Sequence, residues 1–230
     1  MSGRNPNTGI VTPNTPFSNI GYYVPEFEIP MFGLPKVGAG DVPGDNIGQI
    51  CGVTDLIPDQ FGYSVYATRD PNNNLIFRFR VGSDRPSVEG YSILIDTDGL
   101  FGASDPNATG NNPGFELLIT LIKRNNAGVR VYNIDGIDGC PSPVLSYPIG
   151  SHFQISVADE VTCGNLDYFY DFYVPFGEIA SAVGINEFTG LRFAAVTTVS
   201  ATCAFGGKIA DISGVDYNDY KDCIPCAFND

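Results

Sequence analysis

Asp96 and Asp98 stand one residue apart in the run Asp96-Thr97-Asp98-Gly99, and they are the side chains of this chain that point most directly to chemistry. Two carboxylates held so close disfavour each other's ionisation unless a cation lies between them. A loop rich in Gly, Asn and Asp follows, carrying Asp105, Asn107, Asn111 and Asn112. Calcium takes six to eight oxygen ligands, which such a loop can supply within a small volume. The expected metal ligands are therefore Asp96, Asp98, Asp105 and Asn107, and the expected cofactor is Ca2+. The run lacks the glutamate that closes an EF-hand loop at its twelfth position, so it is not an EF-hand. The competing reading of Asp96 and Asp98 is an ordinary turn, in which Asp and Gly are common. Asn107-Ala108-Thr109 also fits a glycosylation sequon, which has meaning only in a glycosylating host.

The other acidic and nucleophilic residues assemble no reaction centre in the sequence. Asp167 and Asp171 lie four apart on an alternating strand and share a face. Their separation by backbone rise is about 13 Å, beyond the roughly 5 to 10 Å that glycoside hydrolysis requires of a carboxylate pair. A solvated edge or a second metal site suits them better, and Asp55, Asp59 and Asp211 are reserve ligands near turns. His152 is the single histidine, with no serine and acid arranged around it in the manner of a catalytic triad. Nucleophile-elbow, phosphate-loop and dinucleotide signatures are absent, and no enzyme activity is expected. Six cysteines (Cys51, Cys140, Cys163, Cys203, Cys223 and Cys226) form an even set suited to disulfides in an oxidising compartment. Cys140 and Cys163 flank one loop and strand and are the first pair expected. Cys223-Ile-Pro-Cys226 lacks the flanking βαβ unit of a redox motif, and no second Cys-x-x-Cys supplies zinc spacing.

These residues must be positioned by strands. Leu75, Phe77, Phe79 and Val81 alternate with Ile76, Arg78 and Arg80, which predicts one face in a core and the arginines pointing outward to solvent. Further strands are expected at Ser64–Thr68, Ser92–Asp96, Phe115–Ile122, Val129–Asn133, His152–Val157, Asp167–Val174 and Leu191–Val199, with one short helix at Pro175–Val183. About eight strands are best buried as two packed antiparallel sheets, so the fold class is an all-β, two-sheet, jelly-roll-like β-sandwich. Residues 1–45 form an extended Pro/Gly/aromatic N-terminal arm and residues 46–230 the sandwich module. The arm's aromatics speak against a disordered tail. It is expected to pack along its own domain as an edge strand, the alternative being donation to a neighbouring subunit's sheet. With 12 basic against 26 acidic residues the net charge is -14, which excludes nucleic acid as a partner and disfavours anionic membranes. No apolar run is long enough to span a membrane. The opening Met-Ser-Gly-Arg is not a signal peptide, so a secreted parent would make this a mature or excised fragment.

In order, Leu75 to Arg80, Ile93 to Gly99, Phe115-Glu116, Tyr168 to Phe176 and Leu191 to Ala194 resemble successive strands of the family-9 carbohydrate-binding modules and their DOMON-like relatives. The likeness covers roughly residues 50 to 200 and is closer to modules in large secreted surface proteins of gliding-type bacteria. Asp171 ahead of Val174-Pro175-Phe176 matches the acidic residue that precedes an apolar-Pro-Phe step in those relatives. The resemblance implies a jelly-roll-like sandwich, an extracellular or cell-surface location and, often, calcium. Sugar-binding members clamp their ligand with tryptophan, which this chain lacks, so Tyr or Phe would have to provide any platform. The function expected is a non-catalytic extracellular structural or adhesion module. The alternatives are a carbohydrate-binding module with a glycan partner and a self-assembling filament subunit that associates through its arm.

Overall fold

The computed structural model describes residues 31–34, 49–59, 62–85, 89–123, 127–158, 161–162, 164–200, 203–206 and 208–214. The described strands are β1 (Phe32–Gly33), β2 (Val65–Arg69), β3 (Asn74–Val81), β4 (Gly90–Asp96), β5 (Leu117–Ile122), β6 (Gly128–Asn133), β7 (Leu145–Pro148), β8 (Phe153–Val157), β9 (Tyr168–Pro175), β10 (Arg192–Thr198) and β11 (Ile209–Gly214). Two helices, α1 (Ile149–His152) and α2 (Phe176–Val183), follow β7 and β9. The strands form a five-stranded sheet in the order β1-β2-β3-β9-β8 and a six-stranded sheet in the order β11-β10-β4-β5-β6-β7. Every pairing is antiparallel, as the expected sandwich requires. Phe32–Gly33, from the expected arm, pairs with β2 of its own sheet as an edge strand. Residues 1–30 and 35–48 of the arm lie outside the described residues.

The period-two pattern accounts for the main core. Phe77, Phe79, Tyr170 and Phe172 of one sheet meet Tyr91, Ile93, Leu117, Ile119 and Phe193 of the other, all buried. Rings pack edge-on or offset, as with Phe79 and Tyr91 at 5.8 Å between centroids and Tyr91 and Tyr170 at 4.8 Å. The run Leu117–Ile122 does not alternate, because its opposite face is buried too. Leu94, Leu118, Tyr132, Ala194 and Val196 build a second cluster on the outer side of the six-stranded sheet, with Phe115, Cys203 and Ala204 over it.

The outer side of the five-stranded sheet is where the sequence expectation fails. Arg78 and Arg80 do point away from the main core, but both are fully buried rather than solvated. That face carries its own apolar cover, including Met31, Tyr66 and Ile76 packed with Tyr63 and Tyr173. Arg78 therefore meets its cross-strand neighbour Asp171 in a two-pronged pair, Nε to Oδ1 at 2.8 Å and Nη2 to Oδ2 at 3.1 Å, and lies 4.3 Å over the Phe169 ring. Arg80 pairs with Asp167 at 2.7 Å. Asp167 and Asp171 are thus partners of buried arginines, neither a solvated edge nor a metal pair.

The expected Cys140–Cys163 pairing gives way to Cys140–Cys203. Sequence proximity misled here: the loop after β6 lies over the outer cluster, next to the turn that joins β10 to β11. Cys51 is also disulfide-bonded, whereas Cys163, Cys223 and Cys226 lie outside the described residues.

Removing one partner of a buried ion pair strands the other, at about 3 to 5 kcal/mol. Arg78→Met is therefore expected to lower urea-unfolding stability by that amount, and Arg78→Met with Asp171→Leu to recover most of it. The Cys140–Cys203 bridge closes 63 residues, for which the chain-entropy relation gives about 4 kcal/mol. Cys140→Ser/Cys203→Ser should lose roughly that much in the same measurement.

Candidate metal centre

Antiparallel register brings together residues that are far apart in sequence. Along β4, Leu94 faces the outer cluster, Ile95 faces the main core, and Asp96 faces outward again at the strand's end. Arg192, the first residue of β10, is the cross-strand partner of Asp96. On the other flank the Glu116 N–H donates to the Ile95 carbonyl at 3.1 Å, one residue before β5 begins. Alternation from inward-facing Leu117 places Glu116 on the same outer side as Asp96.

Asp96, Asp98 and Glu116 form the acidic cluster, each presenting an oxygen within 4.8 Å of the others. Hydrogen bonds hold one oxygen of each carboxylate. Asp96 Oδ1 accepts from the backbone N–H groups of Asp98 at 3.0 Å and Gly99 at 2.7 Å, and Asp98 Oδ1 accepts from the Leu100 N–H at 2.8 Å. Glu116 Oε2 accepts from the Thr97 N–H at 2.6 Å and its hydroxyl at 3.1 Å. Asp96 is 0% exposed, and its Oδ2 makes no hydrogen bond. The nearest cation to that oxygen is Arg192 Nη1 at 3.6 Å, an ion-pair distance. Gly99 turns the chain with φ +80, and a Cβ there would fall 2.6 Å from Arg192 Nη2. Glycine therefore serves both the left-handed turn and the approach of the guanidinium.

Asp105 is not among the three clustered carboxylates. Asp105 Oδ1 accepts from the Asn107 N–H at 2.7 Å, while its buried Oδ2 makes no hydrogen bond and faces Gly114. The Asn107 residue is exposed. Asn112 is a loop clamp, with Nδ2 donating to the carbonyls of Phe115 at 2.7 Å and Ile134 at 2.8 Å and Oδ1 accepting from the Phe115 N–H at 2.9 Å. The reserve ligands are structural. Asp55 accepts from the Cys51 N–H, Asp59 from the Tyr63 N–H and the Tyr66 hydroxyl, and Asp211 from the Leu56 N–H.

No protein-family model matches the chain, and no curated protein matches it either.

Glu116 is the carboxylate of this cluster that the sequence reading did not include. Its signal was an acidic residue at the mouth of an apolar strand whose neighbour ends in Asp96. His152 lies away from the cluster, stacked between Tyr147 at 4.5 Å and Tyr173 at 4.3 Å, with Ser151 Oγ 2.8 Å from its Nδ1. Those tyrosines stack on the imidazole, not beside one another as a flat platform.

Burial pushes the Glu116 carboxyl up from its ordinary 4.5 to about 7, with the charges of Asp96 and Asp98 adding to the rise and the Thr97 hydrogen bonds opposing it. Asp96 is also raised, first by burial and then by Asp98, against the Gly99 and Asp98 N–H groups and Arg192. Between 4.5 and about 7 the folded chain holds a Glu116 proton that the unfolded chain has lost. Its contribution to stability therefore falls as pH rises through that window. In EDTA, the melting temperature of the intact chain should drop more between about pH 5 and about pH 7.5 than that of Glu116→Gln. Equal drops would mean that Glu116 titrates as an ordinary glutamate.

Proposed function

We propose that this chain is a non-catalytic structural or adhesion module of an extracellular or cell-surface protein, stabilised by one calcium ion held by Asp96, Asp98 and Glu116. The observation that carries the reading is the buried Asp96, whose Oδ2 has no hydrogen bond and lies in a cluster of three carboxylates. A buried carboxylate oxygen without a donor is costly, and an all-oxygen donor set is the one that hard divalent cations select. The ion would supply charge compensation and join the end of β4 to the start of β5; the protein's own hydrogen bonds already fix one oxygen of each ligand.

The wider structure supports the same setting. The Cys140–Cys203 disulfide suits an oxidising compartment. Among the described residues no helix is long and apolar enough to cross a membrane. Two antiparallel sheets packed face to face fit the architecture implied by the likeness to family-9 carbohydrate-binding modules.

Calcium at about a hundred times its dissociation constant would add about 2.7 kcal/mol to the folded state, or roughly 5 to 10 °C for a chain of this size. Thermal unfolding in calcium against EDTA should show that rise for the intact chain and no rise for Asp96→Asn/Glu116→Gln. Identical melting of the intact chain in calcium and EDTA would refute the calcium reading.

A further inference from the structure

The inference rests on the calcium reading and concerns what sets the site's charge. With its three carboxylates ionised, as when they ligate a cation, the cluster carries three negative charges, and the guanidinium of Arg192 lying against one of them offsets one. Arg192 is not placed there by chance rotation of a surface side chain. Its backbone is fixed opposite Asp96 by the β10–β4 register, and its guanidinium occupies the space that Gly99 leaves by lacking a Cβ. The approach to Asp96 Oδ2 at 3.6 Å is too long for a hydrogen bond, so that oxygen keeps its lone pairs while feeling the positive charge. Arginine does not lose its proton in the accessible pH range, so the charge is permanent.

We propose that Arg192 is a built-in counter-cation that matches the site to a divalent ion and holds its calcium affinity below what three carboxylates alone would give. The guanidinium and a bound ion share Asp96, so the guanidinium repels the ion in proportion to the ion's charge. A divalent ion neutralises the remaining excess; a trivalent ion overshoots it. Arg192 is a tuning residue here, not a ligand. It also gives the metal-free protein partial compensation, which lets the loop stay folded when calcium is scarce.

The test is isothermal titration of the intact 230-residue chain and of Arg192→Gln, Arg192→Met and Arg192→Lys, with calcium and, separately, terbium. Repulsion by one unit charge at side-chain distance, screened as in water, corresponds to about tenfold in affinity for a divalent ion and about thirtyfold for a trivalent one. Both uncharged variants should therefore bind calcium about tenfold tighter and terbium about thirtyfold tighter, while Arg192→Lys stays near the intact chain. The rise in terbium-over-calcium preference is the signature that a merely structural role would not produce. Folded uncharged variants with unchanged or weaker calcium affinity would overturn the proposal, as would Arg192→Lys behaving like them. If neither the intact chain nor any variant takes up calcium, the calcium reading itself fails and this inference falls with it. Two uncharged replacements of different polarity are included so that misfolding of one leaves the other to decide.

Discussion

Strand register is the constraint on which both the cores and the acidic cluster depend. β4 lies between β5 and β10, and its side chains alternate between the main core and the outer cluster. A slip of one residue on either flank would turn Phe193 or Leu117 out of the main core and drive a charge into it. The same register that buries Ile93 and Ile95 sets Asp96 beside Arg192 and next to Glu116. The cluster is thus held by hydrophobic packing, whose cost of error is several buried side chains at about 1.5 to 3 kcal/mol each. Loop chemistry only finishes it, through the turn at Gly99 and the hydrogen bonds to Thr97.

Burying the outer faces of both sheets changes what charge can do in this fold. On the five-stranded sheet, Arg78 and Arg80 are fully buried and must carry their counter-ions with them, so Asp171 and Asp167 are spent on pairing. At one end of the six-stranded sheet three carboxylates gather beside Arg192. In one arrangement each buried arginine has its own carboxylate. The other is left open by charge, which is the difference between a structural ion pair and a candidate ligand site.

The strands were largely legible in the sequence because period-two alternation and β-rich composition report directly on a half-buried sheet. The pattern in Leu75 to Val81 identified which residues face the main core. It could not show that the far face was covered as well, since covering comes from residues distant in the chain, and so Arg78 and Arg80 were expected in water. Asp96 and Asp98 were legible because their spacing is local. Glu116 and Arg192 reach the cluster only through strand pairing, which spacing along one segment does not encode. Asp105 follows in the same loop but is not one of the three clustered carboxylates, and its Oδ1 accepts from the Asn107 N–H. Cys140 likewise found its bridge by position in the fold and not by nearness in sequence.

The Cys140–Cys203 bridge also bears on how this chain would respond to a mechanical load. It joins two points 63 residues apart, and β7, β8, β9 and β10 all lie between them. Tension carried from Cys140 to Cys203 passes through the bridge and bypasses that whole stretch. The segment, roughly 210 Å long if drawn out straight, stays withheld from extension while the bond is oxidised. Reduction would release it, so the redox state of this bond sets whether the stretch between Cys140 and Cys203 can be drawn out.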